Sequence, residues 1–261
     1  MADNTDLRAL LQDMVQLAGP AGAAIMSVYQ SPAEAEIKSD GSPVTEADRA
    51  AEAIILAGLR DLAPDIPVVS EEAHDSHKME APERFFLVDP LDGTKEFLRR
   101  DGTGSFTVNI ALIEKGVPVL GVVYAPALKR LFAGSLHHGA TETSDDETRP
   151  IAVRAIPASG AVAVASRSHR DEQTDHWLTQ RNITQTVSIG SSLKFCLVAC
   201  GEADVYPRFG PTMEWDTAAG HGVLLAAGGQ VTTPDNDRFV YGKPNFRNGP
   251  FIAGTAQTTL A

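Results

Sequence analysis

Apolar residues recur at Leu7, Leu10, Leu11, Met14 and Val15, the spacing of three and four that gathers them on one face of a helix. Gly19-Pro20 is expected to bend or end that helix before the next apolar stretch, AAIMSVYQ. SDGSPV reads as a turn. TEADRAAEAIILAGLRDL then predicts a second helix, with Thr45 and Asp48 in the S/T-x-x-D/E relation of an N-terminal cap. From there the pattern shortens to β-rich runs. IPVVS and RFFLVD are single strands, and FTVNIALIEKGVPVLGVVYAP reads as two strands around the turn Glu114-Lys115-Gly116. The first half is therefore mixed α and β, with an antiparallel sheet.

A polar, proline-bearing stretch, TETSDDETRP, marks an expected boundary between halves at 1–150 and 151–261, packed as one compact unit. Beyond it AVAVAS, a helix near DEQTDHWLTQ, the strand TQTVSI, the helix SSLKFCLVACGEA and the strand DVYPRF alternate as in an α/β unit. WDTAAGHGVLLAAGG predicts a small-residue helix stopped at Gly228-Gly229.

Composition places the chain among ordinary globular proteins: 261 residues, 43% hydrophobic and 21% charged. A net charge of −12 repels nucleic-acid backbones and anionic membranes, so a small anion is the better partner, and only beside a local cation. Cys196 and Cys200 share an apolar helical run and read as reduced thiols, which suits a cytoplasmic compartment. No signal peptide and no membrane-spanning run is evident.

The chemistry concentrates at DPLDGTKEF. A residue before proline is pushed toward extended geometry, so Asp89 is expected at the end of its strand, with Gly93-Thr94 turning tightly and presenting amides. Asp89 and Asp92 beside free N–H groups suit hard cations that hold a phosphate, since Mg²⁺ takes carboxylates together with substrate phosphate. Asp-Pro and Asp-Gly are also plain turn signals. Glu71 and Glu72, closing the run PVVSEE, and Asp216, in EWDTAAG at the start of a helix, offer further carboxylates. Each has its own bland alternative, a solvated acidic turn and a helix cap. His74 and His77, in EEAHDSH, read as a flexible surface loop, because zinc would need further placed ligands.

Together DPLDGT, WDTAAG and the preceding SEE resemble the signature motifs of the inositol monophosphatase-like family of Mg²⁺-dependent, lithium-sensitive phosphatases. The resemblance spans most of the chain, from SDGSPVTEAD to WDTAAGHGVLLAAGG. Within that family, DGTKEF, SRSH, GSSLKFCLVA and YPRFGPTMEWDTAAGH look most like the 3'(2'),5'-bisphosphate nucleotidases of the bacterial sulfate-assimilation type. The resemblance implies a five-layered α-β-α-β-α sandwich and hydrolysis of adenosine 3',5'-bisphosphate to AMP and phosphate, with the 3'-phosphoadenylyl sulfate as a further substrate.

It also implies roles. Glu71, Asp89 and the Leu91 carbonyl would hold one Mg²⁺, Asp89, Asp92 and Asp216 a second, with a third, weaker ion near Glu71. Asp48 and Thr94 would orient and deprotonate the attacking water, and the Gly93 and Thr94 amides would meet the phosphate. Lys194 and Arg208 would face the second phosphate, with His169, Ser191 and Ser192 as hydrogen-bonding partners; outside the resemblance these two cations read as ordinary surface charges. One departure is the loop LRRDGTGS, longer than the family pattern and carrying Ser105 where the subgroup has a glutamate.

The implied partner is a small bisphosphate nucleotide, with no nucleic-acid polymer, no integral membrane segment and no oligomeric state specified. A cytoplasmic enzyme leaves room for peripheral association with the inner membrane. The alternatives are an inositol monophosphatase or broad sugar-phosphate phosphatase, and a non-catalytic metal or nucleotide sensor. The intact set of Asp48, Glu71, Asp89, Asp92, Thr94 and Asp216 speaks against the sensor.

Overall fold

The computed structural model describes residues 4–30, 35–37, 43–100, 102–166 and 171–259. The chain opens with helix α1 (Asn4–Tyr29), a ribbon of β1 (Ala35–Ile37) and β2 (Pro43–Thr45), and helix α2 (Glu46–Leu62). Pro20 lies inside α1 and does not end it. A proline inside a helix costs about 3 kcal/mol. Met14, Ala18, Ala21 and Ile25 nevertheless continue one fully buried stripe across it, and burying such side chains at about 1.5–3 kcal/mol apiece for the larger ones outweighs that loss. Of the turn expected at SDGSPV only Pro43 and Val44 fall within the described residues, as part of β2.

Seven strands then lie side by side in chain order: β3 (Val68–Ser70), β4 (Arg84–Asp92), β5 (Thr107–Glu114), β6 (Val117–Ala125), β7 (Arg130–Ser135), β8 (Gly139–Ser144) and β9 (Glu147–Ile151). β3 runs parallel to β4, and every later pair is antiparallel. Helix α3 (Thr94–Arg99) leaves the end of β4. Lys115 and Gly116 join β5 to β6 with φ of 49° and 76°, the paired positive φ that suits a two-residue hairpin. TETSDDETRP, read as the boundary between halves, forms most of the β8–β9 hairpin. Asp145 and Asp146 adopt φ of 51° and 65° and turn β9, the polar edge strand, back onto β8.

The second half contributes β10 (Val162–Ser166), helix α4 (Glu172–Gln180), β11 (Gln185–Ile189), helix α5 (Leu193–Ala199), β12 (Val205–Arg208), β13 (Thr212–Met213), helix α6 (Ala218–Ala226), β14 (Gln230–Thr232), β15 (Arg247–Asn248), β16 (Phe251–Gly254) and helix α7 (Ala256–Thr259). Five of the strands form a mixed sheet in the order β11-β10-β12-β16-β14, and β13 pairs with β15 separately.

Alternation along β4 separates the layers. Phe86 and Val88 pack with Met14, Ile25 and Ile55 of α1 and α2, whereas Phe85 and Leu87 pack with Phe195 of α5 and Val223 of α6. Tyr206 and Phe251 of the second sheet close that same inner core, and Trp177 and Leu178 of α4 cover the sheet's other face over Ala163, Val205 and Ile252. The layers are α-β-α-β-α, as expected. A Cβ on Gly121 would collide with the carbonyl oxygen of Ala219, so glycine lets α6 rest directly on β6. Among the described residues no helix is long and apolar enough to cross a membrane.

Candidate active site

β4 does not stop at Asp89. It runs on through Pro90 and Leu91 to Asp92 with a break in register, Asp89 pairing with Asn109 and Asp92 with Thr107. Pro90 has no N–H for the ladder, and the Leu91 N–H turns to Asp89 Oδ1 at 3.1 Å instead. Asp89 continues the alternation of Phe85 and Leu87, so it faces the inner layer where α6 begins. Glu71 follows β3 and donates its N–H to the Val88 carbonyl at 3.1 Å, which sets it beside Asp89. Asp216 precedes α6, its Oδ2 accepting the Met213 N–H at 2.7 Å.

Glu71, Asp89 and Asp216 each offer an oxygen within 4.8 Å of the others. Burial, then the nearby charges of Glu71, Asp92 and Asp216, pushes the Asp89 carboxyl well above the usual carboxylate range. Burial, with Asp92 and Glu71, does the same to Asp216. Carboxylates so placed that they resist ionising together could hold a cation, and an all-oxygen set without histidine or cysteine fits a hard ion such as Mg²⁺.

Asp92 stands beside this cluster rather than in it. Its Oδ2 accepts the Ser192 N–H at 2.6 Å and the Asn109 amide at 3.4 Å, which leaves Oδ1 to the cleft. Burial raises its carboxyl, and Lys194 and Ser192 act against that shift. Gly93 then takes φ 92° and starts α3. Thr94 Oγ1 lies 3.4 Å from Asp48 Oδ1 and 3.3 Å from the Leu91 carbonyl oxygen. Asp48 is buried, and its second oxygen accepts both the N–H and the hydroxyl of Thr45, each at 2.7 Å, in the expected capping box of α2.

These groups open onto a cleft of about 310 Å³. Its walls include Gly93, Thr94 and Asp216 as well as Ser191, Lys194 and Arg208. Burial, with Arg208 adding to it, lowers the Lys194 ammonium to about 8; its Nζ donates to the Ser191 carbonyl at 2.5 Å and stands 5.3 Å over the Tyr206 ring. Arg208 is held by the carbonyls of Gly210 and Pro211 at 3.1 and 3.3 Å. Ser192 does not line the cleft. Its hydroxyl donates to the Asp216 carbonyl at 2.6 Å and accepts from Asn109 at 2.9 Å, so it braces the carboxylates instead of meeting a ligand. His169 lies outside the described residues.

The family model described as the inositol monophosphatase family matches residues 6–261. The chain belongs to the inositol monophosphatase family. It is 53% identical over 225 residues to the 3'(2'),5'-bisphosphate nucleotidase CysQ of Salmonella typhimurium, covering 85% of this chain and 89% of that protein. The crystal structure of CysQ from Bacteroides thetaiotaomicron is similar at 38% identity and a TM-score of 0.81, over 95% of this chain and 97% of that one. The inositol monophosphatase from Anabaena is similar at 27% identity and a TM-score of 0.76, over 98% and 94% of the two chains.

Three features of this inositol monophosphatase family site escape the sequence. Asn109 ties Asp92 to Ser192; its signal was a lone amide in the apolar strand TVNIALI. Glu96 is buried in the cleft wall, and Gly190 makes room for it, since a Cβ there would lie 2.7 Å from Glu96 Cγ. His77 is docked rather than loose: residues His74–Lys78 form a 3-10 turn, the His77 Nε2 lies 2.8 Å from the Ser70 carbonyl, and its ring stacks on Trp215 at 4.5 Å. It thereby links the residues preceding Glu71 and Asp216. Neither histidine joins the carboxylate cluster. Ser105 is buried, with its carbonyl behind Gly93 and Gly190, so the departing loop packs under the site through its backbone.

Proposed function

We propose that this chain is a Mg²⁺-dependent 3'(2'),5'-bisphosphate nucleotidase that hydrolyses the 3'-phosphate of adenosine 3',5'-bisphosphate to AMP and phosphate, and that it also accepts the 3'-phosphoadenylyl sulfate. The observation that carries the proposal is one cleft walled by clustered carboxylates and by two buried cations, Lys194 and Arg208. A monophosphate needs the first set alone. A bisphosphate also needs a counter-charge for its second phosphate in a protein of net charge −12. The name borne by the Salmonella relative supports the same reading.

Glu71, Asp89 and the Leu91 carbonyl would hold one ion, Asp89, Asp92 and Asp216 a second, with a third, weaker one near Glu71. When bound, the ions would polarise the phosphoryl group and lower the pKa of the attacking water. The Thr94 hydroxyl, held between Asp48 and the Leu91 carbonyl, orients that water, and Asp48 takes up its proton. The amides of Gly93 and Thr94 meet the phosphate, and Ser191 with Lys194 and Arg208 receives the other one. Free thiols at Cys196 and Cys200 fit a reducing, cytoplasmic setting.

The test is phosphate release from adenosine 3',5'-bisphosphate and from inositol 1-phosphate side by side, with Mg²⁺, without it and with added Li⁺. A Mg²⁺-dependent, Li⁺-sensitive preference for the nucleotide is expected. Preference for the inositol ester would keep the metal roles and discard those of Lys194 and Arg208; no release from either would leave the sensor.

A further inference from the structure

A second cleft of about 300 Å³ opens on the far part of α6, lined by Leu225, His221, Gln230, Thr232, Arg238 and Phe239. None of these residues takes part in the proposed reaction. α6 nonetheless joins the two clefts: Thr217, in the wall of the first, accepts the backbone N–H of His221 at 2.8 Å, one turn on.

The protons along this connection can be assigned. Thr217 Oγ1 accepts from the Asn248 amide at 3.0 Å and from the Tyr241 hydroxyl at 3.2 Å. Tyr241 has a single proton, now spent, so His221 Nδ1, 3.0 Å from the Tyr241 hydroxyl, is the donor of that pair. Nε2 is then a bare acceptor, without a protein partner among the described residues, on a side chain only 3% exposed. Burial, with Lys243 and Arg238 adding to it, pulls the His221 pKa down to about 3, so the ring is neutral under ordinary conditions. The buried Thr232 hydroxyl is likewise unpartnered, and the exposed Arg238 forms no ion pair among the described residues.

An acceptor and a guanidinium beside the apolar surface of Leu225 and Phe239 complement a small ring-bearing acid with its own O–H or N–H. We propose that this second cleft binds such an organic carboxylate, its acid group on Arg238 and its donor on His221 Nε2, and that occupancy is felt at the first cleft through His221, Tyr241 and Thr217. A donor on Nε2 polarises the ring, strengthens Nδ1–H toward Tyr241 and so on to Thr217, the neighbour of Asp216. The binding claim stands by itself, and only the coupling rests on the proposed activity.

Binding is read by NMR on protein carrying nitrogen-15 histidine. The probes are 4-hydroxybenzoate and 4-hydroxyphenylacetate, with benzoate and phenylacetate as controls lacking the donor. At least one hydroxy acid is expected to shift the His221 Nε2 signal, assigned by its absence in His221→Phe, with saturation by about 10 mM and affinity about tenfold above its control. Arg238→Gln should weaken binding about as much. No shift with either hydroxy acid, or full affinity in Arg238→Gln, overturns the site. With adenosine 3',5'-bisphosphate as substrate, the saturating acid should change kcat at least about twofold in the native protein and not in Tyr241→Phe, which keeps the packing and is compared at the acid concentration that saturates it by the same Nε2 signal. An equal change in Tyr241→Phe, or none in the native protein, removes the relay. Binding of the acids by a protein that releases no phosphate would defeat the proposed function and leave the site standing.

Discussion

The Thr94 hydroxyl lies 3.4 Å from Asp48 Oδ1, while Asp48 Oδ2 closes the N-terminal cap of α2 through Thr45. One buried carboxylate therefore serves helix and cleft at once, and the helix fixes its orientation. Asp48→Asn keeps an oxygen for the cap but loses the base proposed for the reaction. Phosphate release should fall about 10²- to 10⁴-fold, while stability drops by no more than about 1 kcal/mol. Turnover assays beside thermal unfolding separate the two effects, and near-native turnover in a folded Asp48→Asn protein would remove the base assignment.

The carboxyls of Asp89 and Asp216 are raised by burial and by each other's neighbours. A raised folded-state value means that the folded protein binds protons the unfolded chain has released. Without metal, their favourable contribution is thus present below the ordinary carboxylate range and is lost as pH climbs through the raised values. A cation reverses this, and it binds better as pH rises because protons must leave. Melting curves with Mg²⁺ and with a chelator, at pH 5 and pH 8, should show a larger Mg²⁺-induced gain at pH 8. Equal gains at both would contradict the site.

Asp89→Asn removes one of four mutually repelling carboxylates, Glu71, Asp89, Asp92 and Asp216. The metal-free protein should become more stable, and activity should be lost along with the Mg²⁺-dependent rise in melting temperature. A variant that still gains stability from Mg²⁺ as the native protein does would mean the ion sits elsewhere.

Lys194 carries its charge only below about 8 when the cleft is empty. KM for adenosine 3',5'-bisphosphate should therefore rise as pH passes that value, and KM for a monophosphate ester should not follow it. Lys194→Met should raise KM for the bisphosphate at pH 7 and flatten the dependence. An unchanged KM in Lys194→Met would place the second phosphate away from this residue.

Glu142, far from this chemistry, is buried on β8 and held by Arg130 at 2.6 Å and Arg149 at 2.6 Å. Burial by itself would raise its carboxyl, and the hydrogen bonds from the two arginines outweigh that and hold it below the usual range. Glu142→Ala leaves the half-buried Arg130 with Glu202 as its remaining carboxylate, so unfolding should become easier by about 1–2 kcal/mol, measured by denaturant titration, with KM unchanged.

Local pattern determined part of the architecture. Period-two and period-three-or-four repeats located β3 to β6, β10 to β12 and the helices α1, α2 and α4 to α6, and the S/T-x-x-D/E spacing placed the start of α2, whereas β1, β2, β7 and β13 to β16 are not legible in it. The carboxylates were gathered by the family resemblance of SEE, DPLDGT and WDTAAG, since by local pattern alone each also reads as a turn or a helix cap. Tertiary structure decided what local rules could not weigh. Pro20 stays inside α1 because a buried stripe outweighs one lost bond, and the polar run TETSDDETRP is a strand pair because an edge hairpin can leave polar side chains in water. Asn109 reaches Asp92 and Ser192 from 17 and 83 residues away, and His77 meets Trp215 only because β3 ends beside the start of α6. Such contacts are set by how layers stack, and the energy that selects them is spread over the whole core rather than written in any short stretch of the chain.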